Sequence, residues 1–180
     1  MLESSANPNP LDTSEVRILA ATWNMMGRDP SLSDLHNLLH PDSIHHDLYF
    51  IGSQESLHTI AGSMFAPSKE ALNDLIGVCL GENFKMISSV SLQATHLVVF
   101  AHIQIIPLIS QISYDDYATG FQNTLGNKGG VTIRFKLAQT SIRVITSHFH
   151  SGQHNLAARN RDINEIFQAF CTNQPRGQRN

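Results

Sequence analysis

Four short polar segments follow apolar stretches and carry side chains able to do chemistry: Thr22-Trp23-Asn24, Ser53-Gln54-Glu55-Ser56, Thr124-Leu125-Gly126-Asn127-Lys128-Gly129-Gly130 and Ser147-His148-Phe149-His150-Ser151-Gly152. Asn24 and Glu55, an amide and a carboxylate at neighbouring strand ends, are hard oxygen ligands. They suit Mg²⁺, which keeps several waters and asks for few protein groups. Either residue taken alone equally serves as a cap or a solvated loop side chain. The glycines around Asn127 and Lys128 let backbone N–H groups approach an anion while the lysine supplies charge; the same run also suits a hairpin turn. His148 could donate a hydrogen bond to a phosphate oxygen or sit as a satisfied core histidine. Arg159 and Asn160, in the first turns of a helical pattern, could meet an anion or form a solvated helix face.

The elements that must hold these groups are legible from periodicity. Val16 to Asn24 is mostly apolar and reads as a strand buried on both faces, and Leu48-Tyr49-Phe50-Ile51-Gly52 as a second, ending at Gln54-Glu55. Ser31 to His40 has leucines at helical spacing. Ser68 to Leu80 reads as a helix capped by Ser68 and closed by Gly81. Phe84 to Ile106 suggests paired strands. Val131, Ile133, Phe135 and Leu137 share one face of a half-buried strand, Ser141 to Phe149 is another strand, and from Asn155 an amphipathic helix buries Leu156, Ile163, Ile166, Phe167 and Phe170. Strands side by side with packing helices predict a layered α/β sandwich rather than strict βαβ alternation.

The 180 residues, 41% apolar and 15% charged, fit one folded domain or a piece of one. Residues 1–14 read as a flexible lead-in, 15–171 as the folded part and 172–180 as a polar tail. A net charge of −3 gives no broad basic field, so no nucleic acid is expected as partner and any anion must be held locally. Cys79 and Cys171 are expected as buried free thiols. The chain shows neither a signal-like start nor an apolar run of about 18 residues, which leads to the expectation of a cytoplasmic, soluble protein. His36, His40, His45, His46, His58, His96 and His102 show no metal-ligand spacing with cysteine and read as surface or structural.

Taken as an ordered set, Thr22-Trp23-Asn24, Gln54-Glu55, Thr119-Gly120 leading to Asn123-Thr124-Leu125-Gly126-Asn127-Lys128-Gly129-Gly130-Val131, and Ser147-His148 through Arg159-Asn160-Arg161-Asp162 resemble the inositol polyphosphate 5-phosphatase family. That family shares its fold and metal chemistry with the exonuclease-endonuclease-phosphatase, DNase I-like enzymes. The resemblance implies two packed β-sheets flanked by helices, with this chain as the N-terminal part of the catalytic domain and its C-terminal half missing. It implies Glu55 as the main Mg²⁺ ligand and Asn24 completing the metal environment or holding a phosphate. It further implies His148 on the scissile phosphate, Asn127 and Lys128 around the substrate phosphates, and Arg159 and Asn160 as the family's Arg-Asn pair. The implied activity is removal of the 5-phosphate from inositol phosphates or phosphoinositide lipids, with peripheral contact at a membrane and no stable oligomer. The family's later Gly-Asp-Leu-Asn and Ser-Asp-His segments are not found after Asp162, so the chain by itself is expected to be inactive. Two alternatives stand beside this reading: a non-catalytic phosphoinositide- or partner-binding module, and a nuclease or phosphodiesterase of the same superfamily.

Overall fold

The computed structural model describes residues 15–42, 45–56, 69–119 and 128–171. The chain runs β1 (Ile18–Asn24), α1 (Leu32–Leu39), β2 (Leu48–Gln54), α2 (Glu70–Leu80), β3 (Phe84–Leu92), β4 (Thr95–His102), a short 3-10 turn (Ile106–Leu108), β5 (Ile109–Ala118), β6 (Gly129–Leu137), β7 (Thr140–His148) and α3 (Leu156–Cys171). Two sheets pack face to face. The first has the order β1-β2-β4-β3, with β1 parallel to β2 and the remaining pairs antiparallel; the second is an antiparallel β5-β6-β7 meander.

Strand β2 is buried along its whole length because it feeds two cores. Leu48 and Phe50 face the second sheet, joining Leu97, Val99, Val131, Ile133 and Phe135 in the layer between the sheets. Tyr49 and Ile51 face the other way, onto Leu35, Leu39, Ile76 and Leu80 of the two helices. This alternation is how a central strand with helices outside comes to read as a continuous apolar run. Strand β6 alternates as expected, with Val131, Ile133, Phe135 and Leu137 all in the core. Helix α1 opens on a capping box: Ser31 Oγ accepts the Asp34 N–H at 3.1 Å and Asp34 accepts the Ser31 N–H at 2.9 Å.

Five expectations need correction. β1 is an edge strand with alternating half-buried and exposed residues, not a strand buried on both faces, because among the described residues only β2 pairs with it. β5 was not anticipated: Ile109–Ala118 is largely polar and lies at the edge of its sheet, where burial does not impose an apolar pattern. The cap of α2 is Lys69, without a side-chain hydrogen bond, while Ser68 lies outside the described residues. Cys79 is buried but Cys171 is exposed at the end of α3. On α3 only Asp162, Ile166 and Phe170 are buried; Leu156, Ile163 and Phe167 are exposed, because the helix meets its sheet along a narrow line at Gly130, where Ile166 packs directly on the backbone. Among the described residues no helix is long and apolar enough to cross a membrane.

Candidate functional site

Parallel pairing sets Asn24 opposite Gln54, so the ends of β1 and β2 deliver Asn24 and Glu55 side by side. In the other sheet, antiparallel pairing sets Gly129 opposite His148 and brings Lys128 to the same rim. The two rims are tied by Gln54, a buried amide whose Nε2 donates to Thr22 Oγ1 and to Thr146 Oγ1, each at 3.1 Å. Gly52 makes this approach feasible: a Cβ there would lie 2.8 Å from Thr146 Cβ, inside any normal contact.

The backbone at Glu55 is held in an unusual state. Its φ is 51°, left-handed for a non-glycine residue, which costs about 1–2 kcal/mol and persists only where neighbours enforce it. They do so from both sides. Met25 N–H donates to Gln54 O and Gly27 N–H to Glu55 O, both at 2.8 Å. Ser56 donates its N–H and its Oγ–H to Ala94 O, and Lys69 Nζ donates to Ser56 Oγ at 2.9 Å and to Ser56 O. The carboxylate is thereby aimed by the fold rather than left to rotate with a loop.

Four side chains then converge. Asn24 Nδ2 donates to Glu55 Oε1 at 3.0 Å, while Asn24 Oδ1 accepts the Met26 N–H at 3.0 Å, so the amide orients the carboxylate. His148 Nε2 lies 3.5 Å from the same Oε1, and Lys128 Nζ lies 2.8 Å from that Nε2. An ammonium only donates, so Nε2 accepts and the imidazole carries its proton on Nδ1. Burial pushes the Lys128 ammonium below its ordinary range, and the nearby carboxylates of Glu55 and Asp162 oppose that shift. Glu55 keeps 42% of its side chain exposed while His148 keeps 10%, which leaves the carboxylate open to water and the imidazole fixed beneath it.

Such a set can hold an anion between Lys128 and His148 and a hydrated hard cation on Glu55. Among the described residues no three His, Cys, Asp or Glu side chains gather as a closed metal cage. One exposed carboxylate beside an amide offers hard oxygen donors of the kind that suit a hydrated divalent cation.

Of the other expected residues, Asn127 lies outside the described residues, and Asn160 is exposed on α3. Arg159 is engaged locally: Nη1 donates to Gly152 O at 2.6 Å and reaches His150 O at 3.4 Å, clamping the loop between β7 and α3 rather than extending toward Glu55. Sequence reasoning gave no role to Asp162, which is buried and accepts both the Nδ1–H of His150, 2.7 Å from Oδ2, and the His150 backbone N–H at 2.9 Å. A histidine two positions after His148 was the available signal. Lys69 and Thr146 were also silent in the sequence, because their contacts depend on packing.

Comparison with known proteins agrees with the fold. The profile of Endonuclease/Exonuclease/phosphatase family 2 matches residues 21–180. Human phosphatidylinositol 3,4,5-trisphosphate 5-phosphatase 1 is 31% identical over 91% of this chain and 14% of its own length, and mouse inositol polyphosphate 5-phosphatase K is 32% identical over 83% of this chain and 32% of its own. The solved inositol polyphosphate 5-phosphatase domain of SPsynaptojanin, in complex with inositol (1,4)-bisphosphate and a calcium ion, superposes with a TM-score of 0.71 at 28% identity, covering 86% of this chain and 46% of that one. Cimex nitrophorin, at 11% identity and a TM-score of 0.60, shares the fold alone. The chain thus spans under half of the solved domain that it matches. Two packed sheets with flanking helices are the DNase I-like arrangement of that domain, and the chain belongs to Endonuclease/Exonuclease/phosphatase family 2, where its relatives are inositol polyphosphate and phosphoinositide 5-phosphatases.

Proposed function

We propose that these residues form the metal- and phosphate-holding part of a Mg²⁺-dependent phosphomonoesterase that removes the 5-phosphate from inositol polyphosphates or phosphoinositides. The observation that carries this reading is the chain of contacts that joins Asn24 to Glu55, Glu55 to His148 and His148 to Lys128. Glu55, aimed by Asn24, would hold Mg²⁺, which when bound supplies positive charge against the phosphoryl oxygens. Lys128 and His148 bind and orient the phosphate, and the Lys128 ammonium stabilises the charge that develops on its oxygens as water attacks in line. An inositol phosphate and a phosphoinositide headgroup present the same phosphate to this seat, the latter with peripheral contact at a membrane.

Turnover also needs a group to activate the attacking water. Glu55 is committed to the metal, and phosphoryl transfer depends on the whole constellation being in position. The 180-residue chain alone is therefore expected to bind without turnover. Calorimetry of this chain with inositol 1,4-bisphosphate should detect binding that depends on Mg²⁺ and disappears in Glu55→Ala. Absence of binding overturns the reading. Phosphate release from a 5-phosphorylated inositide by the 180 residues alone would keep the activity and refute the incompleteness of the site.

A further inference from the structure

We propose that His150, braced by Asp162, is a second phosphate-contacting imidazole of this site, beside His148 and Lys128. The inference rests on the phosphate-binding reading above and adds a residue to it.

His150 follows His148 by two positions, just past the end of β7. Asp162, projecting from α3, commits both carboxylate oxygens to it: Oδ2 at 2.7 Å and Oδ1 at 3.0 Å from Nδ1, with Oδ2 also accepting the backbone N–H at 2.9 Å. The exposures are opposite. Asp162 keeps 3% of its side chain exposed and His150 keeps 41%. A carboxylate hidden in the fold and spent on a half-exposed ring fixes that ring's orientation and tautomer, placing the proton on Nδ1 and presenting Nε2 outward. Among the described residues Nε2 has no recorded partner. The dyad also shares the field of the main site, since Lys128 is influenced by both Glu55 and Asp162.

Protonation of Nε2 makes an imidazolium whose charge Asp162 balances, with an outward N–H ready for a phosphate oxygen. Asp162 and Arg159 reach it from α3, Arg159 being held on the carbonyls of Gly152 and His150; the charged and titratable groups of the main site are Lys128, His148 and Glu55. A group that merely closed the loop would need no outward nitrogen, because Arg159 and Asn155, whose Nδ2 donates to Ser151 O at 2.6 Å, already close it.

The test is calorimetric binding of inositol 1,4-bisphosphate with Mg²⁺ to the 180-residue chain, comparing the unaltered protein, His150→Gln and Lys128→Met at pH 6. A charge-assisted hydrogen bond to phosphate should make His150→Gln bind about tenfold more weakly at pH 6. Equal binding, or His150 ring signals in NMR that inorganic phosphate leaves unmoved, overturns the inference. If the unaltered chain binds nothing, the phosphate-site reading fails and this inference with it; if only Lys128→Met loses binding, the reading stands and the inference falls. Should His150→Gln unfold, inorganic phosphate must still shift the His150 ring signals of the unaltered chain in NMR, and unmoved signals refute the proposal.

Discussion

His96 and His148 are both nearly buried histidines within the two-sheet fold, yet their surroundings are built to opposite ends. Around His96 every demand is met. Nδ1 lies 2.7 Å from Ser91 Oγ and 3.1 Å from Val90 O, Nε2 lies 2.8 Å from Asn73 Oδ1, and the residue is 1% exposed. The cluster joins β3, β4 and α2 and has no chemistry left over. Around His148 the partners include an ammonium and, farther off, a carboxylate shared with Asn24. The Lys128 ammonium spends one of its three N–H donors on Nε2 at 2.8 Å and keeps donors for an anion. Polar groups that satisfy one another hold a fold together; a charged group with donors to spare beside an exposed carboxylate marks where a ligand belongs.

The largest expected effect breaks the satisfied cluster. His96→Ala removes a buried ring and leaves Asn73 without its partner, a combined loss of about 3–4 kcal/mol in chemical denaturation. The same cluster should confer acid sensitivity. Burial holds His96 down to about 4 against an ordinary 6.5. The unfolded chain therefore takes up a proton that the folded one refuses, and stability falls as pH drops from about 6.5 to about 4, by about 3 kcal/mol in total. Above pH 6.5 the group is neutral in both states and costs nothing. Thermal unfolding at pH 7.5 and pH 4.5 should show this loss, and His96→Gln should flatten it. An unchanged slope in that variant would assign the acid sensitivity to other groups.

The junction between the two regions should respond less. Gly52→Ala drives a methyl group to 2.8 Å from Thr146 Cβ and pushes apart the sheets that Gln54 ties together. Overpacking of this kind costs about 1–3 kcal/mol. Because the same displacement separates Glu55 from His148, metal-dependent phosphate binding should weaken with it. A destabilised variant that binds normally would show that the two rims are held by something other than this contact.

How much of this was legible in the sequence follows from which residues carry period and which depend on packing. The β2 and β6 strands and the capped α1 announced themselves because their apolar residues face a core on every permitted face. The apolar β1 misled because sequence reports a side chain's preference and not whether a neighbour exists to cover it. Ile109–Ala118 was silent because half of an edge strand's pattern belongs to solvent. At the site, Asn24, Glu55, Lys128 and His148 were legible as polar residues ending apolar runs. Asp162 was not, since a lone aspartate on a helix acquires its meaning only when α3 folds back over His150.

The smallest effect on stability should accompany the clearest loss of binding. Lys128 is partly buried, its ammonium is weakened by that burial, and it donates to the His148 imidazole. Lys128→Met keeps the aliphatic stem and removes a charge that folding does not reward, so stability should stay within about 0.5 kcal/mol of the parent. Phosphate binding should fall by about tenfold or more with the loss of a charge-assisted donor. The paired readout sharpens the comparison with His96: there, stability falls while the phosphate site is spared; here, stability holds and binding goes. If Lys128→Met instead unfolded the chain by several kcal/mol, the Lys128–His148 contact would be a structural tie like the one at His96, and the difference between the two histidines would be one of exposure alone.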